Sequence, residues 1–295
     1  MDTHKQGMLN AHLATLLFGG TALFAKWIPL GAGVITFWRT IVAMVVMLLL
    51  CRLRGQSLRL ERRRDMYFQI GLGAIFGLHW YTYYAAIQYS TVAIGITALF
   101  SAPVFSVLLE AAMRRKWPDF IDLLLCVLVF IGVCCLVPNF NWENGYLQGV
   151  IFGLVSAIFL TLRQNLHRRS RAKSASGLVL LFYQLIGIAV LFGFSGSTTT
   201  SAELQANWGK LLLLGIFFTA IPHFLNVSAL RELEAKTLLI ITSLMLPYGM
   251  VLSMLFFAEF PSVRTLFGCA LVLSAATAEN LRVSRDHQAL SPVKG

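Results

Sequence analysis

Charge is what this chain has least of. Only 13% of its 295 residues are charged and 57% are hydrophobic, where a soluble domain carries about 25% charged residues. With a mean hydropathy of +0.73, that scarcity excludes a soluble globular protein. The polar breaks are short, at 52–65, 195–210 and after Leu281, and leave no room for a separate soluble domain. Acid is the rarer sign, 13 Asp and Glu against 24 Lys and Arg, for a net charge of +11. No long basic arm or aromatic-studded basic patch accompanies that excess, so nucleic acid is not the expected partner.

Other absences narrow the chemistry. The five cysteines, Cys51, Cys126, Cys134, Cys135 and Cys269, lie in or at the end of apolar runs without ligand spacing. Neither a disulfide framework nor a metal site is supported, and they read as small buried hydrophobes. No glycine-rich loop ends in Lys-Ser/Thr, so ATP hydrolysis by this chain is excluded. No cofactor is expected.

What is present is a series of apolar runs. A helix needs about 17–25 mostly apolar residues to cross a bilayer. Ten such runs are found, at 10–30, 34–52, 66–88, 91–113, 118–138, 146–167, 176–196, 209–230, 235–258 and 261–281. The first lacks a small-residue cleavage site and is expected to be a retained span rather than a signal peptide. With the N-terminus inside, nineteen of the 24 basic residues fall in inner segments. These are Lys5; Arg52, Arg54, Arg59, Arg62, Arg63 and Arg64; Arg114, Arg115 and Lys116; Arg168, Arg169, Arg171 and Lys173; Arg231 and Lys236; Arg282, Arg285 and Lys294. Outer segments hold only Lys210 and Arg264, which places both termini in the cytoplasm by the positive-inside rule.

The chain also repeats itself. From Gly71 and Gly215 onward, a constant offset of 144 pairs His79 with His223, Ala85 with Ala229, Ile96 with Ile240 and Pro103 with Pro247. Apolar matches are cheap in such a sequence, but a His and a Pro 24 residues apart in both copies are not. Five spans per copy is an odd number, so the second copy must cross the membrane upside down. The expected fold is an all-α integral membrane protein of ten transmembrane helices, two inverted five-helix repeats around a central cavity. The repeats would occupy 1–145 and 146–282, with a polar cytoplasmic tail at 283–295. Gly73-x-x-x-Gly77 and Gly149-x-x-x-Gly153 mark close helix packing, within one chain or between two. Neither monomer nor homodimer is specified.

Ten spans in two halves, each with a Pro in its fourth helix, resemble the drug/metabolite transporter superfamily, EamA type. Pro247 is followed by Ala258-Glu259 and Pro261, similar to that family's Pro…Gly-Glu stretch; in the first half the position of Glu259 is taken by Arg115. The resemblance covers about 10–282 and implies export of amino acids and related metabolites. In other branches it implies carriage of sugars, nucleotide sugars or phosphorylated compounds.

Ionisable groups inside spans are costly, which makes each a candidate for function. His79 and His223 fall near the middle of their spans. His79, Tyr83 and Ala86 share a helix face, with Trp80 and Tyr84 close by. Asn226 shares the face of His223, and Pro222 loosens the backbone before it. Two readings stand: a substrate-binding cavity wall, or two structural histidines satisfied by carbonyls. Lys26 and Arg39 lie about one turn inside the outer ends of their spans, with no acid in those spans. They either snorkel to headgroups or receive a carboxylate or phosphate. Arg163 loosely mirrors Lys26, and Gln184, beside Tyr183, replaces the second cation. If all three cations point inward, the ligand is anionic or zwitterionic. Pro103 and Pro247 are expected to bend their helices. Glu110 is expected to pair with Arg114, and Glu110 or Glu279 to offer a carboxylate for a coupling proton.

The expected function is secondary transport of a small polar metabolite, an amino acid or related compound, outward by alternating access across a bacterial inner membrane. A proton gradient, exchange and downhill efflux are all open as energy sources. The alternative is a carrier of phosphorylated or nucleotide-linked sugars or other anions. A membrane enzyme acting on lipid-linked substrates is more remote, because Asp119 and Asp122, the one close acidic pair in a span, have no His beside them.

Overall fold

With no water to satisfy the backbone, a bilayer admits helices or closed barrels. The computed structural model describes residues 3–115, 117–137, 143, 145–170, 172 and 175–289, and among these no strand forms. Lys116, Arg171, Lys173 and Lys294 lie outside the described residues, as do the side chains of Arg114, Lys236 and Arg285. In the first half α1 (Thr3–Thr21) and α2 (Phe24–Trp27) form one broken run. They are followed by α3 (Ala32–Leu53), α4 (Arg63–Tyr89), α5 (Val92–Leu99), α6 (Ala102–Arg114) and α7 (Phe120–Leu136). The second half has α8 (Tyr146–Arg168), α9 (Gly177–Ser197) and α10 (Ser201–Gly215). A π-helical turn at Ile216–Ala220 leads into α11 (Ile221–Glu232), then α12 (Ala235–Ser243), α13 (Met245–Phe257) and α14 (Val263–Ala289).

Seven runs among the described residues are long and apolar enough to span a membrane: Thr3–Trp27, Ala32–Leu53, Val92–Met113, Tyr146–Arg168, Gly177–Ser197, Ser201–Glu232 and Thr237–Phe257. The remaining three expected spans correspond to α4, α7 and α14. The first turns of α4 carry Arg63, Arg64, Asp65 and Gln69, and α7 is only 17 residues long. The outer surface is apolar where water would forbid it, with Phe130 69% and Phe256 69% exposed. Such a belt suits lipid.

Pro103 and Pro247, expected to bend their helices, each lie just past a helix break. Pro103 sits in the first turn of α6, just past the break after Leu99, and Pro247 sits in the first turn of α13, just past the break at Leu244. There a missing N–H removes no helical bond. The two broken runs also end alike, with left-handed residues at Arg115 (φ 52°) and Ala258 (φ 53°). This shared cap matches Arg115 to Ala258, one residue out of step with the alignment that set Arg115 against Glu259.

Close approaches between helices use glycine. A Cβ on Gly73 would lie 2.0 Å from the Gln184 carbonyl oxygen, and one on Gly187 would lie 2.0 Å from that of Ile70, which locks α4 onto α9. Gly149 and Gly153 receive Ser90 and Ala98, seating α8 against the α4–α5 corner. Both glycine pairs therefore pack helices within this chain. Asp119 and Asp122 form a capping box at the start of α7, and Arg282 of α14 donates to both carboxylates. That acidic pair is used as helix cap and helix tie.

Gly187→Ala should cost about 1–3 kcal/mol, because a methyl cannot enter a backbone contact without displacing a helix. Ala258→Gly should stabilise the protein by about 0.5–1 kcal/mol, since glycine holds the left-handed cap without a Cβ penalty. Thermal unfolding in detergent reads both signs.

Candidate functional site

The middle of the bundle gathers side chains from α3, α4, α8 and α11. The 3.6-residue helix period stacks Phe76, His79, Trp80 and Tyr83 along the inner face of α4. The Phe76 ring stacks on His79 with centroids 5.7 Å apart and lies 4.7 Å from Trp80. His223 enters from α11, edge-on to Phe76 at 6.0 Å, to Trp80 at 5.8 Å and to Phe18 of α1 at 4.9 Å. The repeat mates thus meet through aromatic rings.

Backbone irregularity prepares the second histidine. The π-helical turn ends two residues before Pro222, and His223 Nδ1 lies 2.7 Å from the Thr219 carbonyl. π-turns of this kind recur at functional sites. The turn is tied to both neighbours: Thr21 Oγ1 donates to Phe218 O at 2.7 Å, and Tyr84 OH donates to Thr21 O at 3.1 Å.

The partners decide the histidine tautomers. His79 Nδ1 lies 3.2 Å from the Ser156 carbonyl and 2.8 Å from Ser156 Oγ, while that hydroxyl donates its proton to His79 O at 2.9 Å. Carbonyls only accept, so in both imidazoles Nδ1 carries the hydrogen and Nε2 is left as an acceptor.

Two guanidiniums flank the rings. Arg39, 2% exposed, lies 4.0 Å over Trp80 and 5.0 Å from the Tyr84 ring centre. Its Nε and Nη1, and the hydroxyl of Tyr83, are buried without a hydrogen-bond partner. Arg163 lies 4.3 Å over the Phe76 ring and donates to Gln184 Oε1 from Nε at 3.1 Å and Nη2 at 2.7 Å. Gln184 Nε2 in turn donates to Gln69 Oε1 at 2.8 Å, and Gln69 donates to Ser170 at 2.9 Å. This neutral chain orients Arg163 without cancelling its charge.

The structure therefore brings together His79, Trp80, Tyr83, Arg39, His223, Arg163 and Gln184. It places three expected residues differently. Lys26 sits at one end of the bundle, donating to Ser90 O at 2.6 Å and paired with Glu259 at 3.5 Å. No acid lies in the spans of Lys26 and Arg39, but Glu259 reaches Lys26 from the α13–α14 connection, distant in sequence, so Lys26 points to neither headgroups nor the central cluster. Tyr183 turns away and donates to Leu58 O at 2.8 Å in the α3–α4 connection. Asn226 is half-buried on α11, one turn beyond His223. Glu110 pairs with Arg168 at 3.1 Å. Phe76, Ser156 and Gln69 escaped the sequence reading. Phe76 had a signal, one turn before His79, whereas Ser156 and Gln69 had none.

At the end of the bundle opposite Lys26, a crevice of about 530 Å³ opens between α6, α8, α12 and α14. Its walls include Leu160, one turn from Ser156, and Glu110, Asp122 and Arg282 at the mouth.

Membrane-spanning helices and an apolar belt around a polar, aromatic centre define an integral membrane protein. The chain belongs to the EamA-like transporter family, whose model matches residues 5–137 and again 147–278. A Bacillus subtilis (strain 168) protein called uncharacterized transporter YxxF is 23% identical over 269 residues, covering 89% of this chain and 85% of that one. A solved crystal structure, 17% identical, superimposes with a TM-score of 0.62 over 96% of this chain and 99% of the other, a likeness of fold alone. Family and relative point to a transporter rather than an enzyme.

Gln184→Leu removes the acceptor of both Arg163 bonds and should cost about 1–3 kcal/mol of stability, the penalty for a buried donor left unmatched. Gln69→Leu, one step further along the chain, should cost less. Thermal unfolding of the purified variants gives the order.

Proposed function

We propose that this protein is a secondary transporter that moves a small polar metabolite, an amino acid or related compound, out of the cell by alternating access. In this reading ten helices form two inverted repeats, 1–145 and 146–282, in a bacterial inner membrane, with both termini cytoplasmic. The central cluster is the binding site. The observation that carries the reading is the contrast between the two ends of the bundle. Where α2, the α4–α5 turn and the α13–α14 turn meet, Glu259 Oε2 accepts from the Val92 N–H at 3.1 Å and from Ser253 at 2.7 Å, while Lys26 pairs with it. The crevice opens at the other end. In this reading, with the charge-derived orientation, the latch ties the outer side and the crevice beside α6 and α14 faces inward, while a second crevice of about 520 Å³ indents the outer side between α3, α4 and α9. A second reading, carriage of an anionic metabolite, is favoured by the two guanidiniums at the centre.

Transport in proteoliposomes, with pooled labelled amino acids and phosphorylated metabolites, tests the assignment. His79→Ala and His223→Ala should each abolish uptake of one compound class while the protein stays folded; uptake surviving both would make the histidines structural. The latch makes a separate prediction. Lys26 and Glu259 are 25% and 21% exposed, so their pair contributes ~1 kcal/mol or less. In a cysteine-free background, Lys26→Gln should raise labelling of a cysteine at Ala25 by an impermeant maleimide added outside, up to about fivefold. Unchanged labelling would remove the latch from the cycle.

A further inference from the structure

Among the described residues, the centre of the bundle holds two positive charges and no negative one. An arginine guanidinium stays protonated in proteins, and enclosing such an ion is costly unless acceptors or a partner of opposite sign answer it. Among the described residues the ion pairs lie at the bundle ends: Lys26 with Glu259, Arg168 with Glu110, and Arg282 with Asp119, Asp122 and Glu279. Arg39 and Arg163 have none. Arg163 is held by an amide oxygen, and Arg39 keeps two nitrogens unbonded although it is 2% exposed. The Tyr83 hydroxyl is the third unmatched group on the same face.

Building on the transporter reading, and on its anionic alternative rather than its amino-acid one, we propose that the substrate is an organic oxyanion carrying no ammonium group. Its carboxylate or phosphate takes the unused donors of Arg39 and Tyr83 and supplies the missing negative charge. Its body lies against the rings of Phe76 and Trp80. The Nε2 atoms of His79 and His223, both acceptors, suit a ligand hydroxyl. A zwitterionic amino acid fits worse, because its ammonium would face two guanidiniums with no carboxylate to receive it. Hydroxy acids are thereby preferred over amino acids of the same shape.

A matched set of probes separates these chemistries: 3-phenyllactate, its neutral amide 3-phenyllactamide, and phenylalanine, which replaces the hydroxyl with an ammonium. Calorimetric titration of the full-length protein in nanodiscs should show phenyllactate binding about 10- to 100-fold tighter than either of the others, the range of one charge-assisted bond. Arg39→Gln should erase the difference. Arg163→Gln serves as a second variant should the first fail to fold, and Arg59→Gln, in the exposed α3–α4 connection, should change nothing. Equal binding of acid and amide, tighter binding of phenylalanine, or a preference that survives both central substitutions would overturn the proposal. Proteoliposome flux keeps the two ideas apart. Selective binding of the acid with no flux of any compound defeats the transporter reading alone, whereas flux of zwitterions in preference to acids defeats the oxyanion alone.

Discussion

A permanent charge in the middle of a membrane must be answered by something, and much of this structure can be read as an answer. Arg39 stacks on Trp80 and approaches Tyr84, so ring quadrupoles take part of its field. Arg163 leans on Phe76 and on an amide chain running through Gln184 and Gln69 to Ser170. Those arrangements soften each charge and fix its direction, yet leave it uncancelled. The glycines at 73 and 187 serve the same end, since only a backbone-to-backbone approach of α4 and α9 brings Gln69 and Gln184 within bonding distance.

The ends of the bundle follow the opposite rule. There most described ion pairs join different helices, as Lys26 with Glu259 and Arg282 with the cap of α7, while Arg282 also meets Glu279 one turn back on α14. Partly exposed pairs are weak and can open at small cost, which suits surfaces that separate and re-form during transport. Breaks at Leu99–Ala102 and Ser243–Met245 divide the helices that link these ends to the centre, giving each half a place to flex. In the alternating-access cycle proposed above, a charged, preorganised centre between weakly tied ends supplies the mechanical basis.

The fold was legible because a bilayer imposes so few choices. Composition alone required membrane helices, and the apolar runs include the seven helices long and apolar enough to span a membrane among the described residues. The π-helical turn and the splitting of α5 from α6 were less visible, since they depend on how neighbouring helices satisfy freed carbonyls. At the site, the duplicated His79 and His223 and the neighbouring Trp80 and Tyr83 were legible as costly residues in apolar surroundings. Lys26 was misjudged because its acid partner arrives from 233 positions away in the chain, and no local pattern announces such a pairing. Tyr183 was misjudged for a related reason: an aromatic residue on a helix has two faces to choose from, and packing of the α3–α4 connection makes the choice.

By itself, then, the sequence determined that this protein lives in a membrane, that its two halves share an origin, and which rare polar residues must matter, because the expense of burying them does not depend on detail. Only the tertiary structure decided which of those residues face one another. Two cations a turn inside adjacent helices look alike in one dimension; in three, Lys26 meets a carboxylate and Arg39 meets aromatic rings. Hydrogen bonds and ion pairs act over a few ångströms, so a residue's role is settled by the neighbours that folding brings within that range.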